Sequence, residues 1–367
     1  MTEKISACRS CLLGLAVGDA MGCAVDRKTL EEIYSDYGPN GLLGYDLANG
    51  CADISSYTQV AAFVGNGLLL SVSRGKTDPI PYVDLGLREW ARNQQFHRDP
   101  EKSYCWVAKP KALRLHNNRD ARMLDALRAE TLGTPEQPNN QNTGPGALPG
   151  AVAVALFYDP KRLSTQQLIA LAVRTVARTH GNPETFLAGA VLAQCIADRL
   201  QLPQKPLEEV FQDSIRQVQE QYKEQFPVPM ELLSARLQQA IALAKDETQD
   251  IRLCMERLSC MSAASCLAGA MYACLTCGND FDTALITAVN HSGLSAAVGA
   301  LTGAIMGAGL NAEALPEFYL ESLAPAQALS ELAEDLAQGS LTTGLFDDHW
   351  DHKYMQGLPP EEHRMPV

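Results

Sequence analysis

The chain has 367 residues, 46% hydrophobic and 20% charged, with a formal net charge of −13 and an isoelectric point of about 5.0. That length and balance support a buried core in one large domain or two ordinary ones. The acidic surface excludes nucleic acid and anionic membrane as natural main partners, while leaving room for a small phosphorylated molecule held by backbone amides and helix ends.

Helical periodicity dominates from the start. "KISACRSCLLGLAVGDAMG" carries apolar residues at three- and four-residue spacing. Its apolar run from Leu12 to Val17 is too short to span a bilayer, and no signal peptide or transmembrane segment is expected. "TQVAAFVGNGLLLSVSRGK" has the same period and stops at Gly75. Residues 132–142, "LGTPEQPNNQN", form a loop, and "NTGPGALPG" then feeds an apolar helix. Ser164 caps the next helix, which ends near Gly181, and Pro183 with Glu184 opens another. Residues 200–210 form a second loop. "SAASCLAGAMYACLTC" and "DFDTALITAVNHSG" pair through a "GND" turn. In the last apolar helix Gly299, Gly303 and Gly307 lie four apart, a stripe without side chains that lets another helix come close. No stretch alternates as a strand would. The expectation is all-α: a single compact orthogonal multi-helix domain over residues 1–335, with 336–367 as a C-terminal extension, laid on the surface or poorly ordered.

Several short motifs carry both a chemical and a plain reading. The 11 cysteines are odd in number and scattered through apolar helices, as reduced thiols of a cytosolic protein are. "CRSC" and "CLTC" sit at opposite ends of the chain inside helical patterns, so buried thiols fit better than a zinc site. His180 in "THGNP" reads as a residue between two helices. The glycines of "NTGPGALPG" could present amides to a phosphate, but no Gly-Lys-Ser/Thr follows. "DDHWDHKY" near the C-terminus reads as a solvated polar tail.

Taken in order, "GLAVGDAMGCAVD", the "TQ" helix start, "GPGAL…LFY", "THGNP…AGAVLA" and "AVNHSG…VGALTGAIMGAG" resemble the ADP-ribosylglycohydrolase family over roughly residues 8–322. This all-helical group includes the dinitrogenase reductase-activating glycohydrolase and the J1 crystallins. The resemblance implies a cleft where two magnesium ions orient a ribose and activate water, held by Thr-Asp-Asp-Thr and Gly-Gly-Asp-x-Asp-Thr motifs. This chain has Ser55, Ser56, Tyr57 and Thr58 at the first motif. At the second it has Ser292, Gly293, Leu294, Ser295, Ala296 and Ala297. The expected metal-site positions Ser55, Ser56, Tyr57, Leu294, Ala296 and Ala297 are therefore vacated, and no metal is expected. The family's glutamate is replaced by Asp26, and its phosphate-loop asparagine and arginine by Pro145 and Gly150.

The resemblance leaves Gly144, Gly146, His180, Asn290, Ser292 and Gly293 as candidate ligand-binding residues, with ADP-ribose or another small polar molecule as ligand. An interaction protein is the companion reading. Two alternatives stand beside it. One is an active hydrolase of an ADP-ribosyl or related glycosidic bond, with Asp26 and Asp53 as its acid/base pair. In that case a short insertion would bring Asp53 to one ligand position, where with Asp19 and Asp26 it could hold one cation. The other is a structural protein like the J1 crystallins, with no ligand.

Overall fold

The computed structural model describes residues 2–47, 50–94, 99–117, 120–339 and 348–355. Its helices, in chain order, are α1 (Thr2–Cys23), α2 (Leu30–Tyr37), α3 (Ser56–Ser73), α4 (Ile80–Asn93), α5 (Ala121–Leu127), α6 (Leu148–Phe157), α7 (Thr165–Ala177), α8 (Pro183–Gln201) and α9 (Leu207–Tyr222). They continue with α10 (Pro227–Ala244), α11 (Ile251–Leu258), α12 (Ala263–Cys277), α13 (Phe281–Val289), α14 (Ser295–Gly307), α15 (Glu317–Ser322), α16 (Ala326–Gly339) and α17 (Asp348–Tyr354). Among the described residues there is no strand, only an isolated bridge between Ala52 and Leu323. The fold is all-α.

Local chemistry sets the helix starts. Ser164 accepts from the Gln167 backbone while the Gln167 side chain returns to the Ser164 amide, a reciprocal cap for α7. Asn182 caps α8, with Pro183 and Glu184 in its first turn. Ser55 caps α3, so that helix begins two residues before the "TQ" pair. Every residue of α3 is buried, and its polar side chains need internal partners. Gln59 shows how: its carbonyl accepts from Trp90 Nε1 and Gln94 Nε2, both at 2.9 Å, and its amide donates to Leu115 O at 2.7 Å.

At the centre, α1 and α14 run antiparallel with their backbones in contact. A Cβ at Gly18 would lie 1.9 Å from Gly299 O, and one at Gly303 would lie 1.9 Å from Gly14 O. Gly22 meets Ser295 O and Gly307 meets Ser10 O in the same way. The helix admitted by the α14 glycine stripe is thus α1, which supplies a matching stripe of its own. Helix α1 is long and apolar enough to cross a bilayer by length and composition, and 78% of its most apolar window is buried inside the fold. The eleven cysteines are free; Cys8, Cys11 and Cys274 of the two C-x-x-C pairs are buried, and Cys277 partly so.

The C-terminal region departs from a surface-laid extension starting at 336. Helix α16 runs through that boundary to Gly339, and α17 packs back onto the body. Trp350 Nε1 donates to Ser73 Oγ at 2.8 Å, and Lys353 and Tyr354 both donate to Asp335 Oδ2, at 2.9 and 2.7 Å. The alternation of exposed Asp351 and His352 with buried Trp350 and Tyr354 is that of an amphipathic turn. Asp347 lies outside the described residues.

Gly18→Val should cost more than about 3 kcal/mol, because the new side chain meets backbone that cannot move aside. Gly44 has nothing within 4 Å of its Cβ position, so Gly44→Ala should change stability by less than about 0.5 kcal/mol. Urea unfolding of the two variants checks the contrast.

Candidate functional site

Three carboxylates, two from the C-terminal end of α1 and its following turn and one from the start of α5, build the region that the sequence motifs point to. Asp19 is fully buried. Its Oδ2 accepts from the backbone amides of Ser55 and Thr58 at 2.9 and 3.0 Å and from the Thr58 hydroxyl at 2.6 Å. Its Oδ1 accepts from the Ser55 hydroxyl at 2.6 Å. Burial raises its pKa, and the four hydrogen bonds oppose that shift without cancelling it. A carboxylate placed at the first amides of α3 also complements the helix dipole. Asp19, Ser55 and Thr58 therefore close on one another as a helix cap.

Asp26 follows α1. Its side chain is fully buried, its Oδ1 accepts from the Ala296 amide at 3.1 Å, and its Oδ2 lies 3.7 Å from Arg27 Nε. The backbone around it is unusual. Arg27, Ser259 and Cys260 are non-glycine residues with φ of 66°, 59° and 26°, a region that costs energy and persists only where the surroundings enforce it. Two of them reach the turn before α14: Arg27 N donates to Gly293 O at 2.9 Å, and Leu294 N donates to Cys260 O at 3.0 Å. The turn itself is tightly held. The Asn290 amide nitrogen donates to Leu42 O and Ile286 O, while its oxygen accepts from Leu42 N. Ser292 N donates to Glu256 Oε1 at 2.6 Å, and Ser292 Oγ accepts from Leu30 N at 2.8 Å. His291 is buried, and desolvation, opposed by Glu256 and the Ala288 backbone, pushes its pKa down to about 4.

The third carboxylate is Asp120, the N-cap of α5. Fully buried His180 donates from Nε2 to Asp120 Oδ2 at 2.8 Å, and its Nδ1 lies 2.9 Å from the Thr179 hydroxyl. Asn142 Nδ2 donates to the same oxygen at 3.0 Å. Gly144 and Gly146 lie directly against this carboxylate: Cβ atoms there would fall 2.9 and 2.8 Å from Asp120 Oδ2. The Gly144 amide donates to Asn142 Oδ1. The glycine loop thus makes room for an anion that belongs to the chain itself. Burial disfavours the Asp120 charge, but His180, Asn142 and the Met123 amide outweigh it and hold the carboxyl at about 2.

Tyr57 ties these parts together. Its side chain is almost wholly buried, and its hydroxyl is raised well above the usual range, by burial first and then by the charges of Asp26, Cys266, Asp19 and Asp120. Ser56 is buried, with its amide donated to Asn117 O at 2.9 Å, and Leu294, Ala296 and Ala297 are buried at the start of α14. Asp53 stands apart as an exposed residue ahead of α3.

The profile of the ADP-ribosylglycohydrolase family matches residues 1–344. The chain belongs to the ADP-ribosylglycohydrolase family. An uncharacterised protein of Archaeoglobus fulgidus is 24% identical over 353 residues, covering 92% of this chain and 96% of its own length. A solved structure titled an ADP-ribosylglycohydrolase-related protein complex superposes with a TM-score of 0.56 at 21% identity, covering 93% of this chain and all of that one. At that identity the likeness speaks for the fold.

For this ADP-ribosylglycohydrolase family member, the residue that sequence reasoning missed is Asp120. It stands outside every motif, and its one local signal is a helix-capping aspartate before "ARMLDAL". Its role follows from contacts 22 and 60 positions away, with Asn142 and His180. Because its folded pKa lies below the ordinary 3.8, its ionisation stabilises the fold fully at neutral pH, by about 2 kcal/mol. About half of that should be gone at pH 3, and nearly all below pH 2. Urea unfolding of the wild type and Asp120→Asn should show a stability gap that narrows by about 1 kcal/mol between pH 7 and pH 3.

Proposed function

We propose that this chain is a metal-independent, non-hydrolytic member of its family that works by binding rather than by turnover. The observation that carries this reading is the fate of Asp19, whose two oxygens take four hydrogen bonds from Ser55 and Thr58 and a longer one from the Cys23 thiol. Magnesium requires a near-octahedral shell of oxygens with enough negative charge to offset its dehydration. Here Leu294, Ala296 and Ala297 bring no side-chain oxygen, and Ser55, Ser56 and Tyr57 bring neutral hydroxyls. The donor set does not fit the dinuclear ion site. An acid/base pair of Asp26 and Asp53 is poorly supported, since one is sealed beneath Ala296 and the other is exposed.

The remaining polar groups suit a small ligand rich in hydroxyl or amine donors, such as the ribose of ADP-ribose. Asp120, whose side chain keeps 11% exposure, supplies the acceptor, and the phosphate-side glycines already face that carboxylate. The eleven free thiols fit a reducing compartment, and the cytosol is the proposed location.

Thermal unfolding should shift by less than about 1 °C between millimolar Mg²⁺ and EDTA, because a ligand stabilises only the state that binds it. The protein should release no ADP-ribose from an ADP-ribosylated substrate. Calorimetric titration with ADP-ribose should show saturable heat. A magnesium-dependent rise of several degrees, or turnover, would overturn the non-hydrolytic reading, and a flat titration would leave a structural role.

A further inference from the structure

The chain from α4 to α5 includes a strap, residues 99–117, whose only regular structure is three single 3-10 turns, Pro100–Lys102, Trp106–Ala108 and Lys111–Leu113. Hydrogen bonds inside such turns fix their shape and leave the strap's position to its outside contacts. Those contacts follow α3 backwards. Val107 N donates to Asn66 Oδ1 at 3.4 Å, Leu115 O accepts from Gln59 Nε2 at 2.7 Å, and Asn117 O accepts from Ser56 N at 2.9 Å. Asn117 Nδ2 also donates to Ile54 O at 3.3 Å. The strap from 107 to 117 therefore lies along α3 from Asn66 back to Ser56, about 15 Å of helix. Asp120 follows Asn117 closely in the chain.

The other end of the strap is held by α17. Trp106 Nε1 donates to Tyr354 Oη at 2.9 Å, and Lys353 Nζ stands over the Trp106 ring, 4.6 Å from its centroid. Tyr354 and Lys353 also both donate to Asp335 Oδ2 of α16. Tyr354 is fully buried and Lys353 nearly so, which strengthens these charge-assisted contacts. The rest of α17 is anchored at the end of α3. Trp350 packs on Tyr354 with ring centroids 4.7 Å apart and donates to Ser73 Oγ, and Arg74 Nη2 donates to Met355 O at 3.2 Å. The grip of α17 on the strap is thus concentrated on Trp106, next to the buried Val107 and Ala108.

We infer that α17 is a clamp on this strap, with Lys353 and Tyr354 as positioning residues that act through Trp106 on Asp120 and on the first turn of α3. Its bearing on ligand affinity rests on the binding role proposed for Asp120. A segment of isolated turns has low local stability and opens apart from the core unless its side chains are pinned. Here one end is pinned at Trp106 by α17 and the other at Asn117 by the start of α3. Loss of the α17 end shifts the strap toward open states, and the strap carries the partner of the Ser56 amide and leads into Asp120. Tyr354 is suited to this role, since one oxygen accepts from the strap and donates to α16. The clamp meets α3 at Ser73, about 25 Å along the helix axis from Ser56.

The test is hydrogen exchange, read by mass spectrometry, on the full-length protein and on variants within α17. His352 is exposed, and His352→Pro undoes the helix while leaving Trp350, Lys353 and Tyr354 in the chain. Peptides covering 103–117 and the Ser56 amide should then exchange about tenfold faster than in the wild type, with α8 and α14 unchanged. Tyr354→Phe, which deletes one oxygen, should speed the same peptides to a smaller degree, and His352→Ala should alter none of them. Faster exchange confined to α17 would overturn the inference. So would equally faster exchange in α8, which would make α17 a support of the whole fold. Calorimetric titration with ADP-ribose is the second arm. His352→Pro should raise Kd about fivefold or more, and an unchanged Kd would overturn the positioning role. A wild type that gives no heat would sink the binding role of the cleft, and the exchange result alone would then decide for or against the clamp.

Discussion

The backbone contact between α1 and α14 is the constraint on which the rest of the molecule hangs. Six glycines, three on each helix, remove every side chain that would hold the two axes apart. With the helices in contact, the C-terminal end of α1 is placed against the N-terminal end of α14. Asp26 can then receive the Ala296 amide, and Arg27 can reach the Gly293 carbonyl. A wider spacing would leave Asp26 buried without that partner, and a buried unpaired carboxylate is among the costlier defects a fold can carry.

A fold that buries carboxylates needs something to hold them, because like charges in a low-dielectric space repel. In this chain the counterpoise is internal. Asp19 is matched by the hydroxyls and amides of Ser55 and Thr58, Asp26 by an α14 amide and Arg27, and Asp120 by His180 and Asn142. Serine and alanine at the motif positions are thus more than losses of ligands. Ser55 is the residue that neutralises the hydrogen-bonding demand of Asp19, and the alanines let α14 bury its first turn completely.

The same economy explains why polar motif residues are poor guides to ligand contact. Asn290 lies in the most recognisable turn of the chain, yet its side chain makes its three hydrogen bonds to backbone groups, two of them on Leu42. It joins the loop after α2 to the end of α13. His180 is completely buried and orients Asp120. Both residues hold together elements that carry the motifs.

Much of the architecture was legible in the chain alone, because it depends on local chemistry. Apolar residues at helical spacing marked the helices, and Ser164, and Pro183 with Glu184, marked starts, where the signal lies within a few residues of the first amides. The α14 glycine stripe announced a close helix partner, and the order of the motifs announced the family. The partner's identity was decided only in three dimensions, since α1 lies nearly 300 residues away and its own glycines read locally as ordinary small residues. So was the pairing of Asp120 with His180, and so was the packing of α17 against Ser73 and Asp335. A hydrogen bond between distant residues leaves no period and no spacing in the sequence. What such a residue does is set by which side chain the fold brings within 3 Å of it, and that is a property of the packed helices as a whole.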